Sequence, residues 1–175
     1  MSAEDSVFQT ALSKMLSELF DGPPAAEAYV LNAGDPGLLR QLDAIDAATA
    51  SKQLATGRPP IAAHIDHVHY GFVLLNRWAS GDENAWAGAD WNASWRRTSV
   101  TDKEWRALRA ALRGEVAAWR TVVETRPRWD AVGASAALST AVHTAYHMGA
   151  IRQILAALPP HSAANDFSPA AEPAG

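Results

Sequence analysis

The sequence predicts an all-α fold, a bundle of helices. Apolar residues recur at three- and four-residue spacing over long segments, as one buried face of a helix requires. Alanine is abundant and β-branched runs are absent, which favours helix over strand. Stretches such as Asp21-Gly-Pro-Pro24 and Gly57-Arg-Pro-Pro60 punctuate the periodic segments, since proline cannot continue a helical ladder.

The elements follow in order. Val7, Phe8, Ala11, Leu12, Met15, Leu16, Leu19 and Phe20 describe one apolar face of a first helix. Ser6 can cap its start. Residues 25–36 read two ways, with Ala25 to Leu31 able to form a short helix and Asn32 to Gly37 a loop by its turn residues. Leu38, Leu39, Leu42, Ile45, Thr49 and Leu54 mark the next helix, which Gly57 to Pro60 stops. Pro59 and Pro60 suit the opening of a helix over about 61–80, with Ile61, Ile65, Val68, Phe72, Leu75 and Ala79 on one side. Gly81-Asp-Glu-Asn84 terminates it. The stretch Ala85 to Ser99 sets Trp86, Trp91 and Trp95 among Gly, Asn, Asp and Ser. It reads as a long loop pinned by aromatic anchors, or as a lid or wall over a site, because long loops in compact domains are often functional. Thr101-Asp-Lys-Glu104 is a capping box for a helix carrying Trp105, Leu108, Leu112, Val116, Trp119 and Val123, which Arg126-Pro127 breaks. A last helix begins between Asp130 and Ser135 and runs to about Leu158, with Val142, Ala145, Met148, Ile151, Ile154 and Leu155 as its apolar positions. Gly149 within it either permits a close backbone approach or is simply tolerated. Residues 1–158 therefore read as a single domain. Residues 159–175, rich in Ala, Pro and Ser, read as a disordered tail that includes His161, which has no role.

A chain of 175 residues suits one domain, burying roughly 70% of the surface its unfolded form exposes. The absence of cysteine excludes disulfides, thiolate metal sites and a cysteine nucleophile. A net charge of −4 with no long basic run argues against nucleic acid as a partner. No stretch approaches 18 uninterrupted apolar residues, so no membrane span is expected. The acidic start, Met1 to Ser6, lacks a signal-peptide pattern, and a cytoplasmic setting is expected.

Five of the six histidines fall in two short windows, Ala63-His64-Ile-Asp66-His67-Val-His69 and His143-Thr-Ala-Tyr-His147. Histidines four apart on a helix share a face and can hold one divalent ion, as in the H-E-x-x-H zinc motif. Here Thr144 stands where that motif has its catalytic glutamate. A metal needs at least a third protein ligand, and the first window supplies it. His69 lies about 200° round the helix from His67, so the two cannot ligate one ion. Of His64 and His67, one is the expected ligand and the other lines the cavity. Small neighbours on the stripe of His143 and His147, such as Ala136, Thr140 and Ala150, leave room for the rings and a pocket.

These motifs resemble the DinB/YfiT-like family of metal-dependent proteins. The resemblance is carried by Ile61-Ala-Ala-His-Ile-Asp-His-Val68, Asn76-Arg-Trp78 with Gly81-Asp-Glu83, the tryptophan stretch with Val100-Thr-Asp-Lys-Glu-Trp105, and His143-Thr-Ala-Tyr-His-Met-Gly-Ala-Ile-Arg152. It covers about residues 5–158, and only its last motif is fairly specific. It implies a four-helix bundle, here with an additional N-terminal helix and the tryptophan-rich connecting loop. It further implies a three-histidine site of His67, His143 and His147, with His64 as a competing or supporting residue, and a homodimer. Some members transfer low-molecular-weight thiols or isomerise with their help.

Three imidazoles leave a coordination position open, as in catalytic zinc sites. Zinc or nickel is the expected cofactor, and cobalt or iron suits the same donors. Such an ion lowers the pKa of a bound water or thiol, and with no cysteine in the chain any thiol must come from a small molecule. Asp66 is a candidate to orient a ligand from outside, and Tyr70 a candidate donor on the face of His67. Trp86, Trp91, Trp95 and Arg152 are candidate substrate contacts, Arg152 for a carboxylate. The expected function is a thiol-dependent transferase or a metal-dependent hydrolase acting on a small molecule. The alternatives are a non-catalytic metal-binding or interaction protein, and a histidine-bearing core without metal.

Overall fold

The computed structural model describes residues 3–24 and 27–158. The expected tail 159–175, His161 with it, and the start of the 25–36 stretch lie outside the described residues. Among those described, six α-helices and one short 3-10 turn form, with no strand: α1 (Ala3–Asp21), α2 (Leu38–Asp43), α3 (Ala47–Ala50), α4 (Ile61–Ala79), α5 (Asp102–Thr125) and α6 (Ala131–Ala157). No helix among the described residues is long and apolar enough to cross a membrane.

The four long helices pack as a bundle in which α1 and α4 each lie between α5 and α6. The N-terminal helix is therefore one of the four walls, not an addition to them. Its Leu12, Leu16, Leu19 and Phe20 are fully buried, as their spacing demands. Val7 departs from that face and is 70% exposed. Ser6 is not the cap, because α1 already runs from Ala3; its carbonyl accepts the Thr10 hydroxyl inside the helix.

The expected helix over residues 38–54 is broken in two. Asp46 takes an extended backbone, and its carboxylate caps α3 by accepting the Thr49 N–H at 2.7 Å. Side chains of α5 take the carbonyls freed by the break. Trp105 Nε1 donates to the Ile45 carbonyl at 2.6 Å, and Arg109 donates to that of Leu42 at 3.1 Å. Such partners make a helix end stable inside a protein. Leu54, expected on the buried face, is exposed.

No helix forms over residues 27–31. The buried Glu18 of α1 instead accepts the successive backbone N–H groups of Tyr29, Val30 and Leu31 at 2.6 to 3.1 Å. Burial alone would raise its pKa; the three donors outweigh that and hold it below the usual carboxylate value. Beyond this segment the chain crosses closely over the end of α1. A Cβ on Gly37 would lie 2.3 Å from the Gly22 nitrogen, so only glycine fits there.

The remaining elements match their sequence signals. Thr101 and Glu104 form the reciprocal capping box of α5. Asp130 caps α6 by accepting the Gly133 N–H at 2.6 Å. Trp105, Leu108, Leu112, Val116, Trp119 and Val123 are all buried. On α6, Val142 is 67% exposed and does not belong to the apolar core face. No atom of the described residues packs closely where a Gly149 Cβ would sit, so this glycine serves no close approach among them. Helices α4 and α6 run antiparallel: Trp78 lies against Gly133 at one end and His64 meets His147 near the other.

Candidate metal centre

The antiparallel pairing of α4 and α6 brings the two histidine windows together. On α4, His64 and His67 lie three apart, and both are buried. On α6, His147 is 1% exposed and His143 half-buried. The Nε2 atoms of His67 and His143 are 3.2 Å apart, and those of His143 and His147 are 2.8 Å apart. One nitrogen from each of the three rings lies within 4.8 Å of the others, a cluster that could hold a metal ion.

The donor spacing fits a small divalent cation. Zinc–imidazole bonds of about 2.0–2.1 Å in tetrahedral geometry set ligand nitrogens roughly 3.3 Å apart. The closest pair here needs to open by about half an ångström.

The outer nitrogens of two rings are engaged. His67 Nδ1 lies 2.8 Å from Ser94 Oγ, and Ser94 Oγ donates its only proton to the Trp91 carbonyl at 2.7 Å. The serine must therefore accept from His67 Nδ1–H, which leaves the His67 Nε2 lone pair facing the cluster. His147 Nδ1 is held at 2.9 Å by His64 Nδ1. His64 thus stands behind His147 and offers no nitrogen to the three-membered group. Trp95 covers the cluster, stacked on His67 at 4.3 Å and 24° and edge-on to His64 at 5.2 Å.

Burial holds these imidazoles neutral. It is the largest cause lowering the pKa of His67 to about 4, followed by the charges that His143 and His64 would carry. His147 falls to about 3, first through burial and then through His143, His64 and His67. Burial alone lowers His64 and His143. Neutral imidazole is the form that binds metal.

An acid dependence follows. An unfolded histidine titrates near 6.5. Between that value and the depressed folded ones, the unfolded chain binds more protons than the folded chain, so stability rises with pH. The cluster's contribution is fully present above about pH 6.5 and is lost as pH falls toward 4 and below. Urea midpoints of chelator-treated protein should decline steadily from pH 7 to pH 4.5. A flat profile across that window would contradict a buried neutral cluster.

The other candidate residues lie as follows. His69 is half-buried beside Glu115, Asp66 and Arg97, apart from the cluster, as its angle on the helix requires. Asp66 pairs with Arg97 at 3.0 Å. The Tyr70 hydroxyl accepts the Asp90 N–H at 3.1 Å, and its ring meets Trp91 edge-on at 5.4 Å, so Tyr70 pins the tryptophan loop. Arg152 pairs with Asp35 at 2.9 Å and donates to the Pro36 carbonyl, clasping the chain that follows α1. Thr144, in the place of the H-E-x-x-H glutamate, is buried. Trp91 tilts against His67 at 5.5 Å and, with Trp86, borders a cavity of about 510 Å³ that His143 also lines. The loop is both pinned to the bundle and set as a wall beside the histidines.

Sequence reading missed Ser94. A serine in a polar loop carries no signature, and only the 3-10 turn Ala93–Trp95 aims it at His67. Ser94→Ala should weaken zinc binding about 10- to 100-fold, the usual effect of losing a group that orients a ligand. Competition against a zinc-chelating dye measures it, and unchanged affinity would remove Ser94 from the site.

Comparison with protein-family models, curated proteins and solved structures gave no match to this chain.

Proposed function

We propose that this protein binds one divalent metal ion, zinc or nickel, through His67, His143 and His147. The convergence of their Nε2 atoms, with the outer nitrogens of His67 and His147 engaged by Ser94 and His64, carries this reading. His64 then acts as the partner that orients His147. The three-histidine cluster and its motifs support placement among the DinB/YfiT-like proteins.

A three-histidine ion with an open position would supply a Lewis acid that lowers the pKa of a bound thiol or water. Between the two chemistries, thiol transfer to a small-molecule electrophile is favoured over hydrolysis. Among the described residues, no carboxylate lines the cavity beside His143; Asp66 is paired with Arg97, and Thr144 replaces the glutamate base. A metal-bound thiol needs no protein base once ionised, whereas the hydrolytic motif relies on one. We further propose a cytoplasmic homodimer that takes a small molecule and neither nucleic acid nor membrane as its partner; the family resemblance supports the homodimer.

The test is elemental analysis of tag-free protein beside the His143→Ala/His147→Ala double variant. About one zinc or nickel per chain, lost in the variant, supports the reading. No metal in either after incubation with divalent ions returns the histidines to a structural role.

A further inference from the structure

The cavity beside His143 has a chemistry of its own. It runs between α4 and α6 from His143 toward Ala136 and measures about 510 Å³. Val68, Phe72 and Leu75 form one wall; Trp86 and Trp91 form another. Of the polar side chains of α6 that border it, those of His143, Tyr146, Ser139 and Thr140, the last two are already satisfied. The Ser139 hydroxyl donates to the Ala136 carbonyl at 2.7 Å. That of Thr140 donates to the Ala137 carbonyl at 2.7 Å and accepts the Trp119 indole N–H at 3.2 Å. Among the described residues, no lysine, arginine, aspartate or glutamate lines the space.

A charged ligand here would lose hydration and gain no counter-charge, which is costly. An apolar one would cover the exposed surface of Trp86 and Trp91, whose rings lie within 18° of parallel. Cavities of roughly 300–1,000 Å³ hold small organic molecules.

The geometry points to an uncharged aromatic or alicyclic substrate of about one or two rings, its ring seated between α4 and α6 and its reacting group toward His143. The orientation of the reacting group rests on the metal reading above; the ring site does not. In a transfer reaction this cavity takes the organic acceptor and not the polar thiol.

Gly71 offers the test. It lines the cavity, and a Cβ added there meets no atom within 4 Å. Gly71→Leu would fill the space without replacing a histidine, and leucine suits a helix better than glycine. Full-length protein incubated with zinc is titrated with N-phenyl-1-naphthylamine, an uncharged fluorophore, and with its sulfonated counterpart, 8-anilinonaphthalene-1-sulfonate. The expected result is one neutral probe per chain, bound at least about tenfold more tightly than the sulfonate. Gly71→Leu should weaken it by a further tenfold or more, with zinc content kept and the melting temperature not lowered. Ser139→Leu, from the α6 side, serves if the first variant does not fold. Equal affinity for the two probes, or undiminished binding in the filled variants, overturns the proposal. Zinc bound with no neutral probe also overturns it while leaving the metal reading intact. Neutral-probe binding that the filled variants abolish, in protein that takes up no zinc, supports the ring site and rejects the metal reading.

Discussion

His147→Ala is expected to abolish stoichiometric metal binding while leaving the helical content of the bundle in place. His147 is the most enclosed member of the cluster, and both of its nitrogens are engaged, Nε2 toward His143 and Nδ1 by His64. Structural zinc sites are worth roughly 10–16 kcal/mol over four ligands, so one ligand's share is about 2.5–4 kcal/mol. Affinity should fall by about 100- to 1,000-fold. Alanine is the best helix former, so α6 persists. The loss of a buried partner for His64 costs about 1–3 kcal/mol of stability in the metal-free state. Equilibrium dialysis against zinc and far-ultraviolet circular dichroism read the two halves separately. Retained stoichiometry would remove His147 from the ligand set. His69→Ala is the control and should leave metal affinity unaltered.

Trp119→Ala should produce the largest loss of stability of any single truncation discussed. Trp119 is fully buried in α5, reaches Thr140 of α6 through its indole N–H, and meets Trp129 edge-on at 6.4 Å. It ties together two helices that face each other across the bundle. Deleting a buried tryptophan typically costs roughly 3–5 kcal/mol through lost transfer energy and an unfilled cavity. For a domain of this size that lowers the melting temperature by roughly 6–20 °C. Metal content at low temperature should be unchanged, because the partners of Trp119 are Thr140 and Trp129 and not the clustered histidines. A shift of less than about 3 °C would mean the bundle closes around the vacancy.

The periodic helices were legible because burial of one face dictates their spacing. The span of α4, the capping box of α5 and the buried tryptophans of that helix follow from local pattern alone. The break at Asp46 was not legible. Leu38, Leu42 and Ile45 keep helical spacing across it, and the structure resolves the conflict with partners from α5 sixty residues away. The fold of residues 29–31 depends in the same way on Glu18, whose carboxylate no local signal aims. Val7 and Val142 show the converse error: their spacing fits a buried face, but the neighbouring helices do not cover them.

For the site, spacing alone put the two histidines of α6 on one face and barred His69 from joining a ligand on its own helix, because helical geometry is fixed at about 100° per residue. Helical spacing left His64 and His67 open, since either can turn toward a neighbouring helix, and the family resemblance favoured His67. In the structure His67 joins the cluster and His64 does not. The antiparallel crossing of α4 and α6 turns the Nε2 of His67 inward, against His143, and sets His64 behind His147. The same crossing, with the tryptophan loop folded back by Tyr70 and Asp90, brings Ser94 to His67. The crossing is set by how two whole apolar faces interlock over their length, a property that no short motif encodes.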